Sequence, residues 1–303
     1  MKELLVISGK GGTGKTSIVG AFAVLAKSKV LADCDVDAAD LHLLLKPTVR
    51  NTTEFYGSKK AVIDQEKCTG CGTCVEACRF GAITRGDDLI EVNTVSCEGC
   101  TVCYYACPQR AITMKDNLSG HWFISDTLYG PLVHARLGIA EENSGKLVAE
   151  VRRQARSIAE GQGLDYIITD GPPGIGCPVI SSISGVDMAL IVTEPTVAGS
   201  HDLERILGLT KHFNVEAMVC INKYDLDERK AREIEEYCYR EGIEVAGRIP
   251  FDEEVVYALM EGLPVVDYGR GRSGHGRGKA SKAIKGLWER VSFRLEQARV
   301  QRS

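Results

Sequence analysis

Gly9-Lys10-Gly11-Gly12-Thr13-Gly14-Lys15-Thr16 fits the pattern G-x-x-x-x-G-K-[ST]. It lies between a short apolar run, residues 2–8, and a stretch rich in Ala, Val, Leu and Phe, residues 17–27. Strand, glycine loop, helix is the context in which this pattern cradles phosphate. The glycines let successive backbone N–H groups curl around phosphate oxygens, and the start of the helix adds positive potential. The amides of Gly11, Gly12, Thr13 and Gly14 are expected to hold the phosphate chain, with Lys15 reaching the β- and γ-phosphates and Thr16 holding Mg²⁺.

The flanking sequence has an α/β rhythm. Residues 30–33 read as a second buried strand running into the acidic stretch Asp33-Cys34-Asp35-Val36-Asp37-Ala38-Ala39-Asp40, and helical material follows until Pro47. Further on, residues 122–125, 132–136, 166–169, 188–193, 217–221 and 244–249 read as strands. Residues 145–160 place Leu147, Val151, Ala155 and Ile158 on one helical stripe. Residues 202–212, 228–241 and 253–261 read as further helices, and residues 280–298 as a terminal one. Strands alternating with helices imply a mostly parallel sheet covered on both faces. The expected fold class is α/β, a P-loop NTPase domain interrupted by a small insert.

The insert is recognised by a change of texture. Eight of the twelve cysteines lie from Cys68 to Cys107, in two copies of a unit of about thirty residues. Each copy ends alike, in Cys78-Arg-Phe-Gly-Ala-Ile-Thr84 and Cys107-Pro-Gln-Arg-Ala-Ile-Thr113. Cys68-x₂-Cys71-x₂-Cys74-x₃-Cys78 and Cys97-x₂-Cys100-x₂-Cys103-x₃-Cys107 have the spacing of a bacterial ferredoxin with two [4Fe-4S] clusters. There the fourth cysteine of each run serves the other cluster. One cage is therefore expected from Cys68, Cys71, Cys74 and Cys107, the other from Cys97, Cys100, Cys103 and Cys78. Zinc, the competing metal, more often takes two separated C-x₂-C pairs. Arg79 departs from the pattern, standing where proline usually follows the fourth cysteine. The domain boundaries expected are residues 1–58 with 119–303 for the ATPase domain, and 59–118 for a ferredoxin-like α+β insert.

Outside the insert the chain resembles the MinD/ParA group of ATPases, whose P-loop carries an extra early lysine, here Lys10. The resemblance implies that Lys10 crosses an ATP-sandwiched homodimer interface to touch the partner's nucleotide. It implies that Asp35, in the first switch, orients the attacking water and that Asp40 contacts the switch and metal region. Asp170-Gly-Pro-Pro-Gly174 resembles the second switch, with Asp170 binding Mg²⁺ through water and the Gly174 amide swinging toward the γ-phosphate. Ile221-Asn-Lys-Tyr-Asp225 resembles the base-recognition segment, with Asn222 on the adenine edge and Pro250 lining the base pocket. The string Asn-Lys-x-Asp is shared with guanine recognition; the early lysine favours ATP.

Net charge is -4, from 37 basic and 41 acidic residues, which gives no electrostatic footprint for nucleic acid. No apolar run reaches transmembrane length, and the P-loop follows the first residues so closely that no cleavable signal fits before it. A cytoplasmic chain, working with neither nucleic acid nor membrane, is expected. The Gly/Arg stretch of residues 269–279 reads as a surface linker. The terminal helix, with Ile284, Leu287, Trp288, Val291 and Leu295 on one stripe, reads as packed on its own domain. Cys34, Cys220 and Cys238 read as packing residues, and Cys177 as a buried or incidental thiol. Three functions follow from joining cysteine cages to an ATP-driven dimer switch. The first is electron transfer to a redox or metalloprotein client. The second is a carrier or maturation factor for an iron–sulfur or other metal cofactor, and the third a MinD/ParA-like positioning switch.

Overall fold

Leu4, Leu5, Val6 and Ile7 are apolar at consecutive positions, so a strand made of them must be covered on both faces. The computed structural model, which describes residues 1–87, 89–138, 141, 144–268 and 278–297, buries all four completely. In chain order the elements are β1 (Lys2–Ser8), α1 (Lys15–Leu25), β2 (Lys29–Asp33), α2 (Leu41–Leu45), β3 (Thr48–Ile63), α3 (Thr73–Ala77) and β4 (Ile83–Arg85). They continue as β5 (Ile90–Val92), α4 (Val102–Ala106), β6 (Ile112–Thr127), β7 (Gly130–Leu137), α5 (Ser144–Gln162), β8 (Tyr166–Pro173) and α6 (Cys177–Ile183). The remainder is β9 (Met188–Thr193), α7 (Val197–His212), β10 (Glu216–Asn222), α8 (Glu228–Arg240), β11 (Glu244–Ile249), α9 (Glu253–Met260) and α10 (Lys279–Gln297). Contacts divide the chain into one unit of Met1–Thr52, Trp122–Arg136 and Ser144–Ser303 and another of Thr53–His121 and Leu137–Asn143.

Nine strands form one sheet in the order β11-β10-β9-β1-β8-β2-β7-β6-β3. The pairings β1 with β8 and β9, β2 with β7 and β8, and β10 with β9 and β11 are all parallel. Side chains alternate across β1. Leu4 and Val6 join Phe22 of α1 and Ile284, Leu287 and Val291 of α10 in one core, whereas Leu5 and Ile7 join Leu203 and Ile206 of α7 and Ile234 of α8 in the other. The apolar stripe of α10 is thus spent on its own domain, each buried side chain contributing about 1.5–3 kcal/mol. Trp288 caps the contact with its ring 5.0 Å from Phe22. Among the described residues no helix is long and apolar enough to cross a membrane.

Two features escape a reading by periodicity. The sixteen-residue β3 at the sheet edge is largely exposed and polar, so it lacks the apolar alternation that marks a strand. The strand β8 continues through Asp170-Gly171-Pro172-Pro173, a string that reads as a turn. Gly171 makes this possible, because a Cβ there would stand 2.5 Å from Ile7 Cγ2 and 2.9 Å from the Val6 carbonyl oxygen.

One buried ion pair on α5 ties β1 to the end of α6. Arg152 Nε donates to Glu3 Oε1 at 2.8 Å, while its Nη1 donates to the carbonyls of Ser181 and Ser184 at 2.7 and 2.9 Å. Glu3 is 4% exposed. Arg152→Leu keeps most of the volume but leaves Glu3 with Arg156 alone. A loss of about 3 kcal/mol is expected, measured as a lower urea midpoint.

In the second unit β4 and β5 form an antiparallel hairpin with Ile83 opposite Val92. The duplicated phrases fold alike: Ala82 and Ile83 in one copy, and Ala111 and Ile112 in the other, are all at most 3% exposed. Ala82, Ile83 and Ile112 pack in one core with Ala61, Ile90, Cys74, Cys97 and Cys103.

Candidate functional site

The phosphate loop joins the end of β1 to the start of α1, which aims the first amides of that helix at the loop's concavity. Gly12 and Gly14 hold φ of +80° and +85°. At Gly14 a Cβ would also stand 2.4 Å from Asn222 Nδ2, so glycine is required twice over. Residues 11–17 line a cleft enclosing about 1450 Å³ of empty space, its open mouth included. Asp35, Asp37, Asp40, Leu43, Leu44, Pro172, Pro173, Pro178 and Leu259 complete it.

At the cleft floor Lys15 is 6% exposed, with Nζ 2.5 Å from Asp170 Oδ1 and 3.7 Å from Asp35 Oδ2. Burial works to discharge this ammonium, but Asp170, Asp35 and Asp33 together outweigh it and hold its pKa above the usual lysine range. Burial pushes the Asp35 carboxyl up to about 6, against the pull of Lys15 and with the help of Asp170. Asp33 is fully buried, and its carboxyl is raised well above the usual range by burial and then by Asp170. Its two oxygens accept from the Asp35 and Leu41 amides at 3.1 and 3.3 Å, which staples the acidic loop at both ends. Thr13 Oγ1 and Asp170 Oδ2 are buried without a hydrogen-bond partner. Unmet polar atoms beside a lysine, at the phosphate loop, fit a site built for Mg²⁺ and a polyphosphate.

Five residues anticipated at the site do not line the cleft. Asp170 stands behind Lys15. The Gly174 amide donates to the Ser8 carbonyl at 3.0 Å instead of facing the loop's concavity. The Asn222 amide donates to the Thr13 carbonyl at 2.7 Å and so braces the loop rather than presenting itself to a base. Pro250 follows β11 at a distance from the lining. Its neighbour Phe251 donates its amide to Asp225 Oδ1 at 2.7 Å, which joins the two segments expected around the base. Lys10 lies 3.2 Å from Glu194 Oε2.

The second unit sorts its eight free cysteines into two cavities. Cys68, Cys71, Cys74 and Cys107 line one, and Cys78, Cys97, Cys100 and Cys103 line the other. In each, three cysteines come from one run and the fourth from the other. Burial raises the thiols of Cys74 and Cys103, and neighbouring cysteines of the same cavity add to it. The Ala111 amide donates to Cys107 Sγ at 3.3 Å. No group of three or more His, Cys, Asp or Glu among the described residues is placed to hold one metal ion. A tetrahedral Cys₄ zinc site would bring its sulfurs to within about 4 Å of one another.

The pattern defining the CobQ/CobB/MinD/ParA nucleotide binding domain matches residues 4–265. The chain belongs to this family. It is a P-loop ATPase of the MinD/ParA type. An uncharacterised protein of Methanocaldococcus jannaschii is 33% identical over 95% of this chain and 96% of its own length. An iron–sulfur cluster carrier protein of Pyrococcus abyssi is 28% identical over 41% of this chain and 46% of its own. The structure of the septum site-determining protein MinD with Mg-ADP from Pyrococcus horikoshii OT3 covers 96% of this chain and 95% of that one, with TM-score 0.55 and 18% identity, and so shares the fold.

Three parts of this MinD/ParA-type ATPase's site went unread in its sequence. Asp33 looks like one of several solvated carboxylates until its burial is known. Leu43, Leu44 and Leu259 give the cleft an apolar wall from two helices distant in sequence, a signal no local pattern contains. Glu194, just past β9, could have been suspected, since it follows a fully buried strand whose end faces the phosphate side of the sheet. Of the four remaining cysteines, Cys34, Cys220 and Cys238 are buried, and burial pushes Cys220 to about 12 and Cys238 to about 11, as packing thiols. Cys177 is exposed at the start of α6, so it is not a core thiol. Residues 269–277 of the Gly/Arg stretch lie outside the described residues.

Proposed function

We propose that this ATPase is an Mg-ATP-driven homodimeric switch serving as a carrier or maturation factor for an iron–sulfur or other metal cofactor, with residues 59–118 as its two-cluster ferredoxin-like domain. The observation that carries the reading is the sorting of eight cysteines into two four-thiol cavities with the fourth member exchanged between runs. Cys68, Cys71, Cys74 and Cys107 would hold one [4Fe-4S] cluster, and Cys97, Cys100, Cys103 and Cys78 the other. Bound there, such clusters supply one-electron chemistry or are themselves the cargo handed on. Cys71 and Cys100, one from each cavity, are exposed, which gives an incoming thiolate a route to each cage. The likeness to an iron–sulfur cluster carrier protein supports the same reading. The test is anaerobic incubation of the iron-loaded chain with an apo-ferredoxin, with and without Mg-ATP. Cluster transfer at a rate that Mg-ATP changes is expected.

In the nucleotide cleft the loop amides of residues 11–14 bind the phosphates and Lys15 turns from Asp170 toward them. Thr16 and Asp170 would hold Mg²⁺, which would supply positive charge to the phosphates. Asp40 braces the switch, the Gly174 amide is released from Ser8, and the Asn222 amide leaves the Thr13 carbonyl for the adenine edge, beside Pro250. Asp35 accepts a hydrogen bond from the attacking water, which requires its ionised form. Because its carboxyl titrates at about 6 in the free chain, kcat/KM for hydrolysis should rise as pH passes upward through 6. Asp35→Asn should lower kcat about a hundredfold and abolish that limb while keeping nucleotide affinity, as a pH profile of phosphate release would show.

Electron transfer to a redox client is the second reading. It is favoured by the exchanged cysteines, each of which joins the cavity of the other run, and by the contact between α3 and α4. Clusters that withstand chelator, never leave the chain and pass electrons at a rate set by Mg-ATP would place this reading first.

A further inference from the structure

Glu194 follows β9 and shares its carboxylate between two lysines of different segments. Oε2 lies 3.2 Å from Lys10 Nζ and Oε1 lies 2.6 Å from Lys223 Nζ. Lys223 Nζ also donates to the Gly12 carbonyl at 3.3 Å, so one lysine braces both the phosphate loop and Glu194. The Glu194 side chain is 13% exposed and that of Lys10 is 36% exposed. Burial alone would raise the Glu194 carboxyl, but the bonds from Lys223 and Lys10 outweigh it and keep it below the usual range.

We infer that Glu194 is a positioning residue of the ATPase cycle, a latch that holds Lys10 on its own subunit until an ATP-bound partner draws the lysine away. The inference rests on the dimer reading above, in which Lys10 touches the partner's nucleotide. Under that reading the Lys10 ammonium reaches across to a phosphate on the other subunit, and the latch opens when that reach carries it beyond its 3.2 Å contact with Glu194. Opening it leaves no orphaned carboxylate, because the shorter bond from Lys223 stays in place. The latch therefore sets the threshold for dimerisation without forbidding it. A half-exposed ion pair of this kind is worth a several-fold change in an equilibrium.

Sedimentation velocity across a protein dilution series, in saturating Mg-AMPPNP, tests the latch. Glu194→Gln, which keeps the shape and removes the charge, is expected to dimerise at about three- to fivefold lower protein concentration than the unaltered chain. Glu194→Asp, with a shorter arm, should shift the midpoint in the same direction. Measured against Lys10→Ala alone, adding Glu194→Gln should bring no gain, a dependence that a merely structural role for Glu194 would not produce. Dimerisation of both Glu194 variants at the unaltered concentration, or a gain that persists without Lys10, overturns the latch alone. An unaltered chain that stays monomeric in Mg-AMPPNP overturns the latch and the dimer reading together.

Discussion

Cys74→Ser combined with Cys78→Ser is expected to remove both of the proposed clusters, whereas Cys74→Ser combined with Cys107→Ser removes only one. Cys74 and Cys78 are four residues apart in the same run, yet they line different cavities; Cys107 shares its cavity with Cys74 from across the unit. A cubane that loses one thiolate is exposed to loss as a whole, so each single variant should retain roughly four of roughly eight irons. Two changes in one cage remove nothing further, while changes in different cages add, as independent sites do. If ligation followed sequence order instead, the Cys74/Cys78 pair would spare one cluster and the Cys74/Cys107 pair would lose both. Iron counting on anaerobically prepared variants separates the two patterns.

The second large effect is expected at Lys15. Lys15→Met keeps the buried stem and removes the ammonium that contacts Asp170 at 2.5 Å. Hydrolysis should fall at least about a hundredfold, since the charge that draws the β- and γ-phosphates into place is gone. The nucleotide-free chain should also lose about 3 kcal/mol near neutral pH, because Asp33, Asp35 and Asp170 are left without their buried counter-charge. The sign with pH follows from Asp35, whose folded pKa of about 6 lies above its usual 3.8. Between those values the folded chain binds more protons than the unfolded one. This site's contribution to stability therefore falls as pH rises through the window and levels off above 6. Without Lys15 the Asp35 carboxyl is raised further, so the decline should extend to higher pH. Urea midpoints of both chains at pH 5 and pH 8 check it: the gap should narrow at the lower pH.

How far the sequence was legible depended on how local the physics was. The phosphate loop, the apolar strands β9 and β11 and the helix α10 are each encoded within a dozen or so neighbouring residues, and each was read nearly to the residue. The cysteine runs stand out by their spacing, and the exchange of the fourth thiol expected from it is the grouping that lines the two cavities. What escaped depends on residues brought together from afar. The edge strand β3 is paired by β6 and has no apolar face to advertise it. Asn222 can be read as a base-contacting residue from its place after β10, but its amide is committed to Thr13, more than two hundred positions away in the chain. Glu194 owes its role to two lysines it meets only in the folded chain.

Iron, zinc and bound nucleotide measured per chain, in one sample purified without oxygen and equilibrated with Mg-ATP, weigh most directly on the union of thiol cages with a phosphate cleft. Roughly eight irons with matching sulfide, and about one nucleotide per chain, are predicted. A colourless protein with zinc in place of iron, or one that keeps no adenine nucleotide, would contradict the account.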